Sequence, residues 1–145
     1  MKKTILTLIT VLSLTIFSGQ IHAQTVKTLN KQEFIEKIMD YQKNTDKWVF
    51  KGDKPVIIDF YAKWCGPCKQ VAPIMEELAK EYGTQIIIYK VDTDKEKELA
   101  RDFGIQSIPT MLFIPVVGSP QVSKGALPKE SLKKLIDEFL LQKNK

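Results

Sequence analysis

The chain has 145 residues, with 22 basic and 17 acidic side chains and a formal net charge of +5. Its lysines are interleaved with acids, as in KEKELARD and KESLKKLIDEF, the pattern of solvated helix faces. No basic run carries interleaved aromatics, which argues against a nucleic-acid partner.

Taken in order, the chain opens with MKKTILTLITVLSLTIFSGQIHAQ. Two lysines, an apolar run from Ile5 to Phe17 and a small residue at Ala23 are the parts of a secretory signal. We expect residues 1–23 to be a signal peptide cleaved after Ala23, leaving 24–145 as one domain in an exported or periplasmic protein. The alternative is an uncleaved anchor, but the apolar run falls short of the ~20 residues a span requires. Removing the segment leaves 122 residues, enough for a single core, with a net charge of +3. It also removes His22, the only histidine. Ser–His, Cys–His and His–metal chemistry are then excluded together.

Gln24–Leu29 alternates weakly and suits an edge strand. Asn30 followed by Glu33 resembles a capping box, and Phe34, Ile35, Ile38 and Met39 carry an apolar helical stripe to about Tyr41. A short strand is expected at Trp48–Lys51 after the polar segment QKNTDK. Pro55–Tyr61 is a nearly continuous apolar run, as in a strand covered on both faces. A helix is expected over Cys68–Tyr82, ended by Gly83 and kinked at Pro73. Gln85–Val91 is a second buried strand, and a helix from Thr93 or Asp94 runs to about Phe103-Gly104. Thr110–Ile114 and Gln121–Lys124 form a hairpin through Val117-Gly118-Ser119, and Pro128–Gln142 closes the chain as an amphipathic helix. The order β-α-β-α-β-α-β-β-α implies parallel pairs with late antiparallel edges. The fold class is α/β, a three-layer α/β/α sandwich around a mixed sheet.

The only two cysteines, Cys65 and Cys68, lie in DFYAKWCGPCK. As a structural staple they would close a very short loop, worth about 2 kcal/mol against about 3 for a 15-residue loop. A zinc site needs about four ligands, and neither a second pair nor histidines accompany them. A redox pair fits better. The segment joins the carboxyl end of a buried strand to a helix start, where ligand sites of open α/β sheets fall. Unpaired helix N–H groups there stabilise a thiolate. Cys65, nearer the exposed end, is the expected attacker and Cys68 the shielded sulfur. Pro67 suits the first helical turn.

DFYAKWCGPCK resembles the active-site segment of the thioredoxin family, with Trp64 to Lys69 matching its Trp-Cys-Gly-Pro-Cys-Lys core. GIQSIPTMLF resembles the segment bearing that family's cis-proline, at Pro109. KGALPKESLKKLIDEF resembles its last strand's glycine, at Gly125, and terminal helix. Together these matches span nearly all of residues 25–142.

The resemblance implies a thioredoxin fold and a protein-disulfide reductase without a cofactor. It makes Cys65 the nucleophile and Cys68 the resolving cysteine. Asp59 matches a buried carboxylate that relays a proton, tuned by Lys90, and the opposite possibility is a strand aspartate merely satisfied by Lys90 and water. Gly66 and Pro67 would set the redox poise. Trp64, Ile108, Pro109 and Gly125, with Gly66, would form the rim that docks a protein disulfide substrate. Three departures stand out: a longer loop QKNTDKWVFKGDK, extra residues in IPVVGSPQVS, and Pro128 at the last helix's cap. Gly66-Pro67 and Ile108 favour the reducing end, near the reference value of about −270 mV for thioredoxins themselves. A strong oxidant lies near −120 mV, about 7 kcal/mol away for two electrons. Export pulls the other way, because exported thiols meet an oxidising compartment. A reductant there needs recharging, by a membrane thiol donor, and the alternatives are an oxidase or isomerase, or a binding module. No dimer seam is evident, so a monomer is expected.

Overall fold

The computed structural model describes residues 24–143. The expected signal peptide lies outside the described residues. Five strands form one mixed sheet in the order β1-β3-β2-β4-β5, with β1 at Lys27–Thr28, β2 at Val56–Tyr61, β3 at Ile87–Asp92, β4 at Thr110–Ile114 and β5 at Gln121–Lys124. The helices are α1 (Lys31–Lys37), α2 (Gly66–Tyr82), α3 (Lys97–Asp102) and α4 (Lys129–Lys134), the last continuing in wider π turns over Leu135–Leu140.

The expected element order holds, and the hairpin strands fall where the sequence put them. Asn30 caps α1 as expected: its Oδ1 accepts the Glu33 N–H at 2.8 Å, and the Glu33 carboxylate accepts the Asn30 N–H at 3.2 Å. Gly83 ends α2 at φ 52°, a left-handed conformation that favours glycine.

Other boundaries moved for identifiable reasons. α1 stops at Lys37 because the Ile38 carbonyl accepts from Lys51 N–H at 2.9 Å instead of continuing the helix. That same bond explains why Trp48–Lys51 is not a strand. The segment crosses the end of α1, and Trp48 and Phe50 pack against the core there. α3 starts at Lys97, later than expected, because the Asp92 carbonyl accepts from Lys95 and Glu96 and holds a turn first. α2 starts at Gly66, earlier than expected, and runs through Pro73 as one element. Only Lys27–Thr28 of the expected first strand pairs with the sheet.

β1, β2 and β3 are parallel, yet β4 runs antiparallel to β2 although a helix precedes it. The length of α3 explains this. Six residues rise only about 9 Å, against about 20 Å for a six-residue strand. The chain therefore re-enters the sheet from the end at which β3 left it.

Strand alternation sorts the core into two layers. Ile57, Ile88, Met111 and Phe113 join Val71, Met75 and Leu78 of α2 and Leu132 and Ile136 on the α4 side. Val56, Ile58, Phe60, Tyr89 and Val91 join Leu29, Phe34, Ile38 and Leu99 on the α1 and α3 side. Asp59 and Lys90 are one alternation from Ile57 and Ile88, so both belong to the α2 face.

Candidate active site

β2 delivers the cysteines to the C-terminal edge of the sheet. A turn closed by Cys65 N–H to the Ala62 carbonyl, 3.2 Å, brings Cys65 to the N-cap of α2. Its sulfur accepts the backbone N–H of Cys68 at 3.2 Å, the role that a serine or aspartate oxygen fills at other helix starts. Cys65 and Cys68 are joined in a disulfide. Cys65 was expected to be the more exposed of the two. In the disulfide form both residues are 3% exposed, because Ala62, Tyr61 and Ile108 pack around them. Their difference is one of surroundings. Cys65 sits at the positive end of a helix, whereas Cys68 faces inward.

Inward lies a small cavity of about 80 Å³, lined by Cys68, Asp59, Lys90, Tyr61, Glu76 and Val26 among others. Asp59 is 5% exposed, and its Oδ1 has no hydrogen-bond partner. Burial pushes its pKa up from 3.8 to about 7, with the Lys90 charge pulling weakly the other way. Asp59 and Lys90 are direct neighbours in the β2–β3 register. Even so, no ion pair joins them among the described residues. Lys90 therefore acts on Asp59 as a nearby charge across the sheet and not as a direct ion partner. A buried carboxyl lining the same cavity as Cys68, with a pKa raised toward neutrality, can accept or return a proton once the disulfide is reduced.

The outward rim also assembles. The Ile108–Pro109 peptide is cis, and the Pro109 carbonyl accepts the Gly125 N–H at 2.8 Å, which ties the two loops together. Gly125 has φ 86°, and a Cβ there would point into open space, so a partner's backbone can approach closely. Gly66 and Pro67 are exposed at the helix start. Trp64 is 69% exposed and lines a groove with Ile108 and Ser107.

All ten residues singled out in the sequence converge on this end of the sheet. Three others were missed. Asp94 accepts the Trp64 indole N–H at 3.0 Å and so fixes the exposed ring. Tyr61 lines the cavity, and Glu76 reaches it from α2. Tyr61 was legible from alternation with Asp59, and Glu76 from its i, i+4, i+8 spacing with Ala72 and Cys68.

A five-stranded mixed sheet flanked by helices, with a Cys-x-x-Cys pair at a helix start, defines a thiol–disulfide oxidoreductase of thioredoxin type. The sequence profile described as Thioredoxin matches residues 25–138. The chain is 51% identical over 112 residues to the thioredoxin of Borreliella burgdorferi, covering 77% of this chain and 95% of that one. It is 39% identical over 109 residues to the chloroplastic M-type thioredoxin of Spinacia oleracea, covering 74% of this chain and 60% of that longer protein. Thioredoxin 1 of a Nostoc species is 39% identical over 92 residues, 63% of this chain and 86% of its own. The crystal structure of chloroplastic thioredoxin z has the same fold at a TM-score of 0.63, with 24% identity over 77% of this chain and 91% of that one. The chain belongs to the thioredoxin family, close to bacterial and chloroplast members, and is a protein-disulfide reductase that acts on protein disulfide substrates.

Proposed function

We propose that this thioredoxin works outside the cytosol as a reductase of protein disulfides, with Cys65 as nucleophile and Cys68 as resolving cysteine. The Cys65 thiolate attacks a substrate disulfide and displaces one substrate thiolate, leaving a mixed disulfide. Cys68, deprotonated by Asp59, attacks the Cys65 sulfur and releases the second substrate thiolate. Two substrate thiols form, two protons are taken up by the leaving sulfurs, and the protein ends as its own disulfide. Trp64, Ile108, Pro109, Gly66 and Gly125 dock the substrate segment, and Lys90 tunes Asp59. Gly66 and Pro67 keep the pair at the reducing end.

The observation that carries the proton relay is the unpartnered Asp59 carboxyl in the cavity that Cys68 lines. Export rests on the order of residues 1–23, and in an oxidising compartment the pair needs a membrane thiol donor to recharge it. Mixed-disulfide trapping tests the whole reading. A Cys68→Ala variant should hold both substrates and donor on Cys65, in an exported fraction whose N-terminus is Gln24. Trapping through Cys68 in a Cys65→Ala variant instead would reverse the roles. Retention in the cytosol would remove the export proposal and its membrane donor.

A further inference from the structure

The Asp59 cavity is bounded on one side by chain that thiol chemistry does not use. Val26, just before β1, lines it, and the Val26 N–H donates to Glu76 Oε2 at 3.2 Å across 50 positions of sequence. Glu76 is half-buried and projects from the same face of α2 as Cys68, two turns further along. The Val26 side chain packs against the apolar layer beneath α2. β1 itself is only two residues long; the chain after it is anchored by buried Leu29 and its N–H bond to the Lys90 carbonyl, whereas before it the Val26–Glu76 bond holds the segment beside the cavity.

We propose that Glu76 is a positioning residue for the proton relay: by holding the Val26 N–H it clamps the N-terminal segment over the β1 side of the cavity and restricts the access of bulk water to Asp59. This rests on the relay reading of Asp59 given above. The groups facing Asp59 are Lys90 from β3, the Tyr61 hydroxyl on β2, and Glu76 and Cys68 from α2; its β4 neighbour, Met111, is apolar. With no ion pair at hand, burial is what raises the Asp59 pKa, and the Lys90 charge opposes it. A segment released from Glu76 would admit water and return the carboxyl toward its ordinary range.

The test is a carbon-13 NMR pH titration of the aspartate carboxyls in the wild-type protein and in Glu76→Gln and Glu76→Ala variants, with Asp59→Asn assigning the signal. Glutamine keeps an acceptor oxygen for Val26 and should leave the Asp59 midpoint nearly in place. Alanine removes the acceptor and should lower the midpoint by about one pH unit or more. It should also speed hydrogen exchange at the Val26 amide by about tenfold. Equal shifts in both variants would assign the effect to the Glu76 charge and overturn the clamp. An elevated wild-type midpoint that alanine leaves unchanged would overturn it too, with the relay intact. The relay alone fails if alanine moves the midpoint but Asp59→Asn leaves the pH profile of disulfide reduction unaltered. A wild-type midpoint near 4 would sink both.

Discussion

Val56, Ile58 and Phe60 leave β2 on the α1 and α3 side and join an apolar cluster, whereas Ile57, Asp59 and Tyr61 leave it on the α2 side. There the row changes from a fully buried isoleucine to a buried, unpaired carboxyl and then a tyrosine beside Cys68. One face of a single strand supplies cohesion, and the other ends in chemistry. A buried carboxyl without a partner lowers stability when ionised, and the packed face opposite helps the fold tolerate it. Substitutions on the two faces should therefore fail in different ways.

The largest effect belongs to the sulfurs. Cys65→Ser should lower disulfide-reductase turnover by roughly a thousandfold or more, with the fold retained by circular dichroism. Phe60→Ala, on the packed face, should cost about 3–5 kcal/mol in chemical denaturation. The pH profile of the remaining folded protein should be unchanged. A profile shifted by Phe60→Ala would mean that the two faces are not independent.

Asp59→Asn should do the reverse, lowering turnover near neutrality by about 100-fold while relieving a pH-dependent cost. The sign follows from the raised pKa. The native state keeps a proton that the unfolded chain releases above 3.8, so stability is greatest below that value and falls as pH rises through about 7. Between pH 4 and 8 the wild type should lose up to about 4 kcal/mol relative to Asp59→Asn. Denaturation curves that stay parallel across that range would show that Asp59 is not dehydrated.

Smaller effects test the periphery. Asn30→Ala should cost about 1 kcal/mol through the lost cap, without touching activity. Asp94→Ala frees the Trp64 ring and should raise KM for a protein disulfide a few-fold, with stability unchanged within about 0.5 kcal/mol. A fall in kcat alone would place Trp64 in the chemistry rather than in docking.

The contrast between the faces of β2 was partly legible beforehand. PVIIDFY announces a buried strand, and one aspartate inside it stands out against the apolar run. Asn30 with Glu33, Gly83 and the two hairpin strands were local signals, and the structure kept them. Trp48–Lys51 misled because its apolar residues cover the end of α1 instead of pairing in the sheet. The start of α2 was placed too late because a sulfur is not an obvious cap; only the Cys68 N–H pointing at Cys65 reveals it. Equal burial of the two cysteines likewise depends on Ile108, a residue at least 40 positions away.

By itself the sequence determined the order of elements and pointed to a redox role for Cys65 and Cys68, through period-2 and period-3.6 hydrophobicity, capping residues and a short cysteine spacing. The residues that gather around the pair, such as Lys90, Pro109 and Gly125, were legible only through the resemblance of their segments to the thioredoxin family. Tertiary structure decided that β4 runs antiparallel, that Asp59 has no ion partner, that Asp94 steadies Trp64, and that Val26 and Glu76 meet beside the relay. These depend on distances across the sheet and on which groups water can reach, and no local pattern carries either.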